Sequence, residues 1–343
     1  MRPPHLISVA CLAVLPACEV FGTGTLVVDG DGSVTVAPSD IKPTDVDAAP
    51  GYAGNTQHDP FPFGETTAWT RLSAGWEYAC AVGIDQEITC IGSDRHGETH
   101  PPPGPWIDVF AGEDGTCGRR LDGSVECWGF NDLRTQYEIG GQHWPQTNGW
   151  QDLDIGTFAT CAIGADGAVT CSMVQLGVLP PRAGPFGSVS AGYGVACGIL
   201  QGTTRYDCWP YNPELDGYEG PSGAWVDVEV SAYTACGVRT DGTLACWGDV
   251  DPSQGIHGGV GANVPQDNGY VDLDIRGEDA CGLKASGEVV CWDTGGLYSQ
   301  TLTGDRLPAD WQFIDVSVGL GFACGRNSSG NINCWGNFPA PIE

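Results

Sequence analysis

Seven times along this chain an aromatic residue stands eleven positions before a cysteine. The aromatics are Trp69, Trp106, Trp150, Phe186, Trp225, Tyr270 and Phe313. The cysteines are Cys80, Cys117, Cys161, Cys197, Cys236, Cys281 and Cys324. Val or Leu lies three residues after every aromatic, and Ala or Gly directly follows every one of these cysteines. A second cysteine comes ten residues later, or eleven in one case: Cys90, Cys127, Cys171, Cys208, Cys246, Cys291 and Cys334. Successive first cysteines are 36 to 45 residues apart. One register held seven times is a repeat architecture, built from units too small to bury their own apolar faces.

The clearest unit is Trp106 to Gly129. An apolar run precedes Cys117-Gly118, a second run ends at Asp122-Gly123, and a third closes on Cys127-Trp128-Gly129. Asp-Gly between strand-like runs is a hairpin signal, because glycine accepts positive φ without steric penalty. The unit therefore reads as three short antiparallel strands. The 52 Gly and 24 Pro, with no long 3.6-residue periodicity, fit many short strands and turns. Sheets of this kind bury both faces by stacking radially, so residues 68–343 are expected to close a ring of seven. An open β-solenoid is the alternative, although its coils are usually shorter and more uniform. Connections after Cys127, Cys246 and Cys291 are long enough for a fourth strand. Residues just before Trp69 are expected to pair near the last repeat and close the ring.

Each cysteine pair brackets a hairpin turn. With Asp122 central in a three-residue turn, Cys117 and Cys127 fall directly opposite, where Cα atoms about 4.5 Å apart are within disulfide reach. Seven cross-strand disulfides are expected, one per repeat. Free buried thiols and zinc ligands compete with that reading, but zinc needs four ligands converging at one point.

Of the 16 cysteines, seven pairs leave Cys11 and Cys18. Residues 1–18 read as an export signal: Arg2, then an apolar stretch from Leu6 to Leu15 too short to span a bilayer. Leu15-Pro16-Ala17-Cys18 resembles a bacterial lipobox, which makes Cys18 the expected lipidation site; plain signal cleavage is the alternative. Residues 19–67 are rich in Asp, Pro, Thr and Gly and read as a disordered tether, with a possible small hairpin from Leu26 to Val36. The expected destination is the outer membrane, cell surface or periplasm, with membrane contact through the lipid alone. Net charge is −29, with 14 Lys plus Arg, which argues against nucleic acid and anionic membrane surfaces as partners.

Asp227-Val228, Cys236-Gly237-Val238, Asp241-Gly242-Thr243-Leu244 and Cys246-Trp247-Gly248 together resemble the regulator-of-chromosome-condensation (RCC) repeat. The resemblance spans about residues 69 to 337 and implies a seven-bladed β-propeller. The family's usual histidine three residues after the glycine is replaced by Tyr78, Gly115, Ala159, Val195, Thr234, Asp279 and Phe322. The eukaryotic member exchanges guanine nucleotides on a GTPase and binds chromatin, jobs that an acidic exported chain does not fit. Secreted bacterial relatives of the fold include protein inhibitors of β-lactamase, so the resemblance points to protein binding.

In an extended chain His96, Glu98 and His100 would share one face and could ligate a metal; a solvated loop is the other reading. Asp152/Asp154 and Asp272/Asp274 recur at matching repeat positions, which argues for a strand-end role over an acid–base pair. Asn327-Ser328-Ser329 matches a glycosylation sequon but falls on the seventh hairpin turn. Tyr137, Trp144 and Tyr298, in the long connections, are candidate anchors for a partner. The expected function is that of a monomeric, non-enzymatic lipoprotein, without cofactor, binding a protein or glycan through loops on one face. A propeller lyase or glycosidase with an axial site is the alternative, and nucleotide exchange a remote one.

Overall fold

Three strands run antiparallel within each repeat, and the cysteine register decides how they pair. The computed structural model describes residues 26–28, 34–36, 63, 68–113, 115–129, 149–156, 159–173, 177–178, 180–192, 195–210, 220–231, 234–248, 263–293, 302 and 311–337. The chain divides into two units, Met1–Asn55 and Thr56–Glu343. Described in the first is a small hairpin, Leu26–Val28 against Val34–Val36, as the sequence allows. Cys18 lies outside the described residues.

The second unit holds seven antiparallel sheets in chain order. Their first strands are Trp69–Ala74, Asp108–Ala111, Asp152–Ile155, Phe186–Ala191, Trp225–Val230, Tyr270–Arg276 and Phe313–Gly319. Each first strand packs against the first strands of the neighbouring sheets, and the last meets the first, so these seven strands line the inside of a closed ring. We call the sheets blades 1 to 7. Six have three described strands; blade 3 has a fourth, Gly177–Val178. That fourth strand was expected in the long connections after Cys127, Cys246 and Cys291, which lie largely outside the described residues. Gly177–Val178 instead follows Cys171, where the chain turns back at once on Ser172 and Met173.

Middle strands such as Tyr78–Gly83 are buried along their whole length, because strands flank them on both sides and blades cover both faces. Seven apolar clusters result, one at each blade junction, and each contains half-cystines. In all seven blades the paired cysteines are directly opposite and bonded, with Cα atoms 4.0 Å apart. Blade 4 keeps this despite its eleven-residue spacing, because Gln201 to Thr204 form a turn one residue longer.

The small residue after each first cysteine has a steric cause. A Cβ on Gly118 would lie 2.6 Å from the ring of Trp106, and one on Gly237 2.8 Å from that of Trp225. The buried aromatic that opens the inner strand occupies that space. Its amide donates to the hairpin turn of the preceding blade at every junction, from Trp106 N to Gln86 O (2.8 Å) round to Trp69 N to Gly330 O (2.9 Å). Phe63 and Trp69 pack with Phe322 and Ile332 across the closing junction. Among the described residues blade 7 takes its three strands from Phe313 to Gly336, and the junction to blade 1 is made by this packing and by backbone hydrogen bonds such as Trp69 N to Gly330 O.

Candidate functional site

Side chains alternate along a strand, so residues two, four and six positions after the opening aromatic share one face of each inner strand. Two positions on stand Arg71, Asp108, Asp152, Ser188, Asp227, Asp272 and Asp315. Four positions on stand Ser73, Phe110, Asp154, Ser190, Glu229, Asp274 and Ser317. Six positions on stand five glycines, Ser231 and Arg276. The ring therefore carries stacked polar layers on its inside.

The second layer clamps neighbouring blades. Ser73 accepts the amide of Ala111 (2.9 Å), Asp154 that of Ala191 (2.7 Å), and Ser190 that of Val230 (2.8 Å). Asp274 accepts the amide of Val318 (2.7 Å), and Ser317 that of Ala74 (2.9 Å), which crosses the closing junction. The rule is constant: the residue four after one aromatic takes the amide of the residue five after the next. It lapses where the acceptor is Phe110 or Glu229. There the amides of Ile155 and Ile275 turn to their own strand's Asp154 (2.8 Å) and Asp274 (2.7 Å). In the first layer Asp152 accepts Val189 N (3.2 Å) and Asp227 accepts Leu273 N (3.1 Å). Asp152, Asp154 and Asp274 are thus junction acceptors along the inner strands, Asp272 accepts its own strand's Leu273 amide, and only Asp152 of these stands at a strand end.

Arg276 crosses the axis. Its guanidinium donates to the carbonyls of Ala74, Ala111 and Ile155, each at 3.1 Å, in blades 1, 2 and 3. Glycine at the matching position of five other blades is required by the close approach of the next blade: a Cβ on Gly112 would lie 2.3 Å from Ile155, and one on Gly156 2.1 Å from the carbonyl oxygen of Ala191.

Burial raises the carboxyls of these layers. Asp152 is pushed up to about 7, mainly by burial and then by Asp108 and Asp154, against the pull of the Val189 amide. Asp227 rises to about 6 through burial, partly offset by the Leu273 amide. Asp272 rises to about 9 through burial and the neighbouring Asp227, Asp315 and Asp274. Glu229 is raised well above the carboxylate range by burial and by Asp227, Asp154 and Asp274. Asp154 and Asp315 are raised by burial too, but Arg276 pulls the first down and Arg326 the second. Cations reach the carboxylates of blades 2, 3 and 7, with Arg71 and Arg119 at Asp108, Arg276 near Asp154 and Arg326 at Asp315; Asp227 and Asp272 are bonded instead to each other and to backbone.

The proposed metal trio is organised differently. Residues 94–100 form a turn with Gly97 at φ 83°, so His96, Glu98 and His100 do not alternate on one extended face. Glu98 is buried, and its carboxylate accepts the amides of Arg95 (3.1 Å) and His96 (2.6 Å). Its carbonyl accepts the Thr116 hydroxyl and the Trp128 indole, both at 2.9 Å, and His100 Nδ1 meets Asp94 Oδ2 at 3.0 Å. The loop is therefore neither extended nor simply solvated; Glu98 ties it down. Among the described residues no cluster of His, Cys, Asp and Glu is arranged to hold a metal. Tyr137, Trp144 and Tyr298 lie outside the described residues. Asn327 ends the middle strand of blade 7, and its Oδ1 accepts the amides of Ser329 and Asn331 in and after the hairpin turn.

No protein-family model matches the sequence, and no curated protein matches it. Among solved structures the chain is similar to the CRINKLY WD40 ectodomain of the Arabidopsis thaliana receptor kinase ACR4. Identity is 20% and TM-score 0.61, over 81% of this chain and 99% of that one. It is also similar to the entire ectodomain of the Physcomitrella patens receptor kinase CR4, at 22% identity and TM-score 0.59, over 78% of this chain and 72% of that one. The chain is a seven-bladed β-propeller. At these identities the likeness is one of fold, and function must be argued from the site. The polar layers escaped sequence reading except as recurring carboxylates. Their signal was present in Ser73, Ser190, Ser317, Asp227, Asp315 and Arg276, which share the same phase after the aromatics.

Proposed function

We propose that this protein is a non-enzymatic binding propeller, exported and tethered through a lipidated Cys18, whose loops on one face engage a protein or glycan. The observation that carries the reading is the commitment of the axial polar layers to structure. Ser73, Asp154, Ser190, Asp274 and Ser317 accept inner-strand amides, Asp227 and Asp272 bond each other and the Leu273 amide, and Arg276 is spent on three carbonyls. Acids fixed as backbone acceptors make a poor proton-transfer pair, which disfavours a lyase or glycosidase on the axis. Seven disulfides support export, since such bonds persist in oxidising compartments. Tyr137, Trp144 and Tyr298 are the proposed anchors in the loops.

The test is a pull-down from outer-membrane extract with the full-length protein, beside a glycan turnover assay. A retained partner without turnover supports the reading, and turnover without a retained partner overturns it. Mass spectrometry of the mature N-terminus reads the lipid directly: an acylated Cys18 is expected, and an unmodified one removes the tether.

A further inference from the structure

Among the described residues, the two ends of the ring differ in what they expose. The hairpin turns and the starts of the inner strands lie at one end, because each opening aromatic is hydrogen-bonded to a hairpin turn. All five large hydrophobic side chains that stand exposed among the described residues are at that end: Ile84, Leu121, Val226, Val271 and Ile314. Three of them form one set. Val226, Val271 and Ile314 directly follow the opening aromatics of blades 5, 6 and 7, and each is about half exposed, at 50%, 49% and 49%. The pairing explains why. Register slips between Trp225 and Asp227, between Tyr270 and Asp272, and between Phe313 and Asp315, so each of the three is the unpaired residue of a β-bulge. Bulges re-aim side chains. The corresponding residues of blades 1, 3 and 4 are Thr70, Gln151 and Gly187; blade 2 has the half-buried Ile107. β-Branched aliphatics on three successive blades thus make an apolar arc around half of the axial mouth.

Carboxylates lie one residue further in. Asp227, Asp272 and Asp315 follow the three arc residues directly; each keeps some solvent exposure although the surrounding protein desolvates its carboxyl. Asp315 is paired with Arg326 at 3.2 Å. Asp227 and Asp272 are hydrogen-bonded to one another across the junction, with Asp274 near both, Glu229 near Asp227 and Asp315 near Asp272. The cations on the adjoining middle strands are engaged elsewhere. Arg239 lies over Trp225 and on the Ser222 carbonyl, and Lys284 bonds Asp267 and Glu288.

We infer that the arc of Val226, Val271 and Ile314, with Asp227 and Asp272 beneath it, is the docking surface, and that it takes a basic, apolar-flanked segment of a partner protein, with a lysine or arginine entering the mouth. Charge complementarity selects this occupant. A second copy of the chain brings a net charge of −29 to the same surface. The chain's own residues 19–67 are acidic, with Lys42 their sole lysine or arginine. A cation lodged between the two aspartates replaces the proton they hold, so binding releases a proton and tightens as pH rises. This inference rests on the binding reading above and adds to it the face and the chemistry of the partner.

The experiment uses the full-length protein and an amidated Leu-Lys-Leu-Lys-Leu-Lys peptide, with the glutamate analogue as control, by fluorescence anisotropy in physiological salt. The lysine peptide should bind saturably and the glutamate peptide should not. Val226→Ser/Val271→Ser/Ile314→Ser, three changes at half-exposed bulge positions, should weaken binding at least about tenfold with an unchanged melting temperature. Asp272→Asn should weaken it more at pH 9 than at pH 6. Absence of saturable binding, or equal binding by the triple variant, overturns the inference. A protein that ignores the peptide yet still retains a partner from outer-membrane extract, with or without the triple change, keeps the binding reading and loses this one.

Discussion

The junctions on either side of blade 6 occupy the same place in the repeat and are built differently. Between blades 6 and 7, Asp274 takes both the Ser317 hydroxyl (2.8 Å) and the Val318 amide (2.7 Å). Between blades 5 and 6, Glu229 stands at the matching position, and the amide of Ile275 bonds its own strand's Asp274 instead. One extra methylene displaces the carboxyl from the clamp and leaves it among Asp227, Asp154 and Asp274. The first junction is satisfied; the second carries carboxyls raised by burial and by one another. Position in a repeat thus fixes where a side chain goes, while its length and charge decide whether it clamps or strains.

The largest expected effect breaks the satisfied side. Asp274→Ala orphans the amides of Val318 and of its own strand's Ile275 together with the Ser317 hydroxyl, and should cost about 3 kcal/mol in denaturant unfolding, whereas Glu229→Ala should cost under about 1 kcal/mol. Equal losses would mean that the two junctions do not differ. Arg276→Met belongs with Asp274→Ala in size, since it unpairs three carbonyls and removes the cation that restrains Asp154.

Next come the disulfides, where the two junctions should behave alike. Replacing both cysteines of Cys236–Cys246 or of Cys281–Cys291 with serine should cost about 2 kcal/mol in either case. Both bonds close hairpins of the same ten-residue separation. A twofold disparity would show that the polar layer couples to the covalent one.

A smaller change should repair the weaker side. Glu229→Ser recreates the acceptor that Ser73, Ser190 and Ser317 provide elsewhere, and should stabilise by about 1 kcal/mol at neutral pH. A loss of stability would sink the clamp rule at this junction.

The gentlest probe is pH. Asp227 and Asp272 have folded values of about 6 and about 9, above the unfolded range near about 4. The folded state therefore holds protons that the unfolded state releases, and stability falls as pH rises from about 4 towards 9. Asp272→Asn should flatten the upper part of that decline, read as the melting temperature across buffers. An undiminished slope would place the shared proton elsewhere.

The seven-fold register and the cystine pairing were legible in the sequence because both are local. A hairpin places Cys117 opposite Cys127 by turn geometry alone, and the partner is ten residues away. The clamps were visible only as recurrences. Asp154 finds the Ala191 amide 37 residues on, and that pairing depends on how blades are rotated about the axis, which no local pattern encodes. Arg276 stands where five other blades have glycine, but its three acceptors are 121 to 202 residues distant. The His96, Glu98, His100 reading failed for the opposite reason. It assumed an extended chain where Gly97 makes a turn, and the buried Glu98 carboxylate serves the backbone of that turn.

The seam of the ring has a further consequence. Ser317 receives Ala74 across the closing junction as Ser73 receives Ala111 across the next, and Trp69 hooks onto Gly330 as Trp106 hooks onto Gln86. No wedge of the disc is privileged as first or last. Joining the two ends of the ring and opening it between any two other wedges should preserve every one of these contacts, so the order of wedges matters to the ring and its starting point does not.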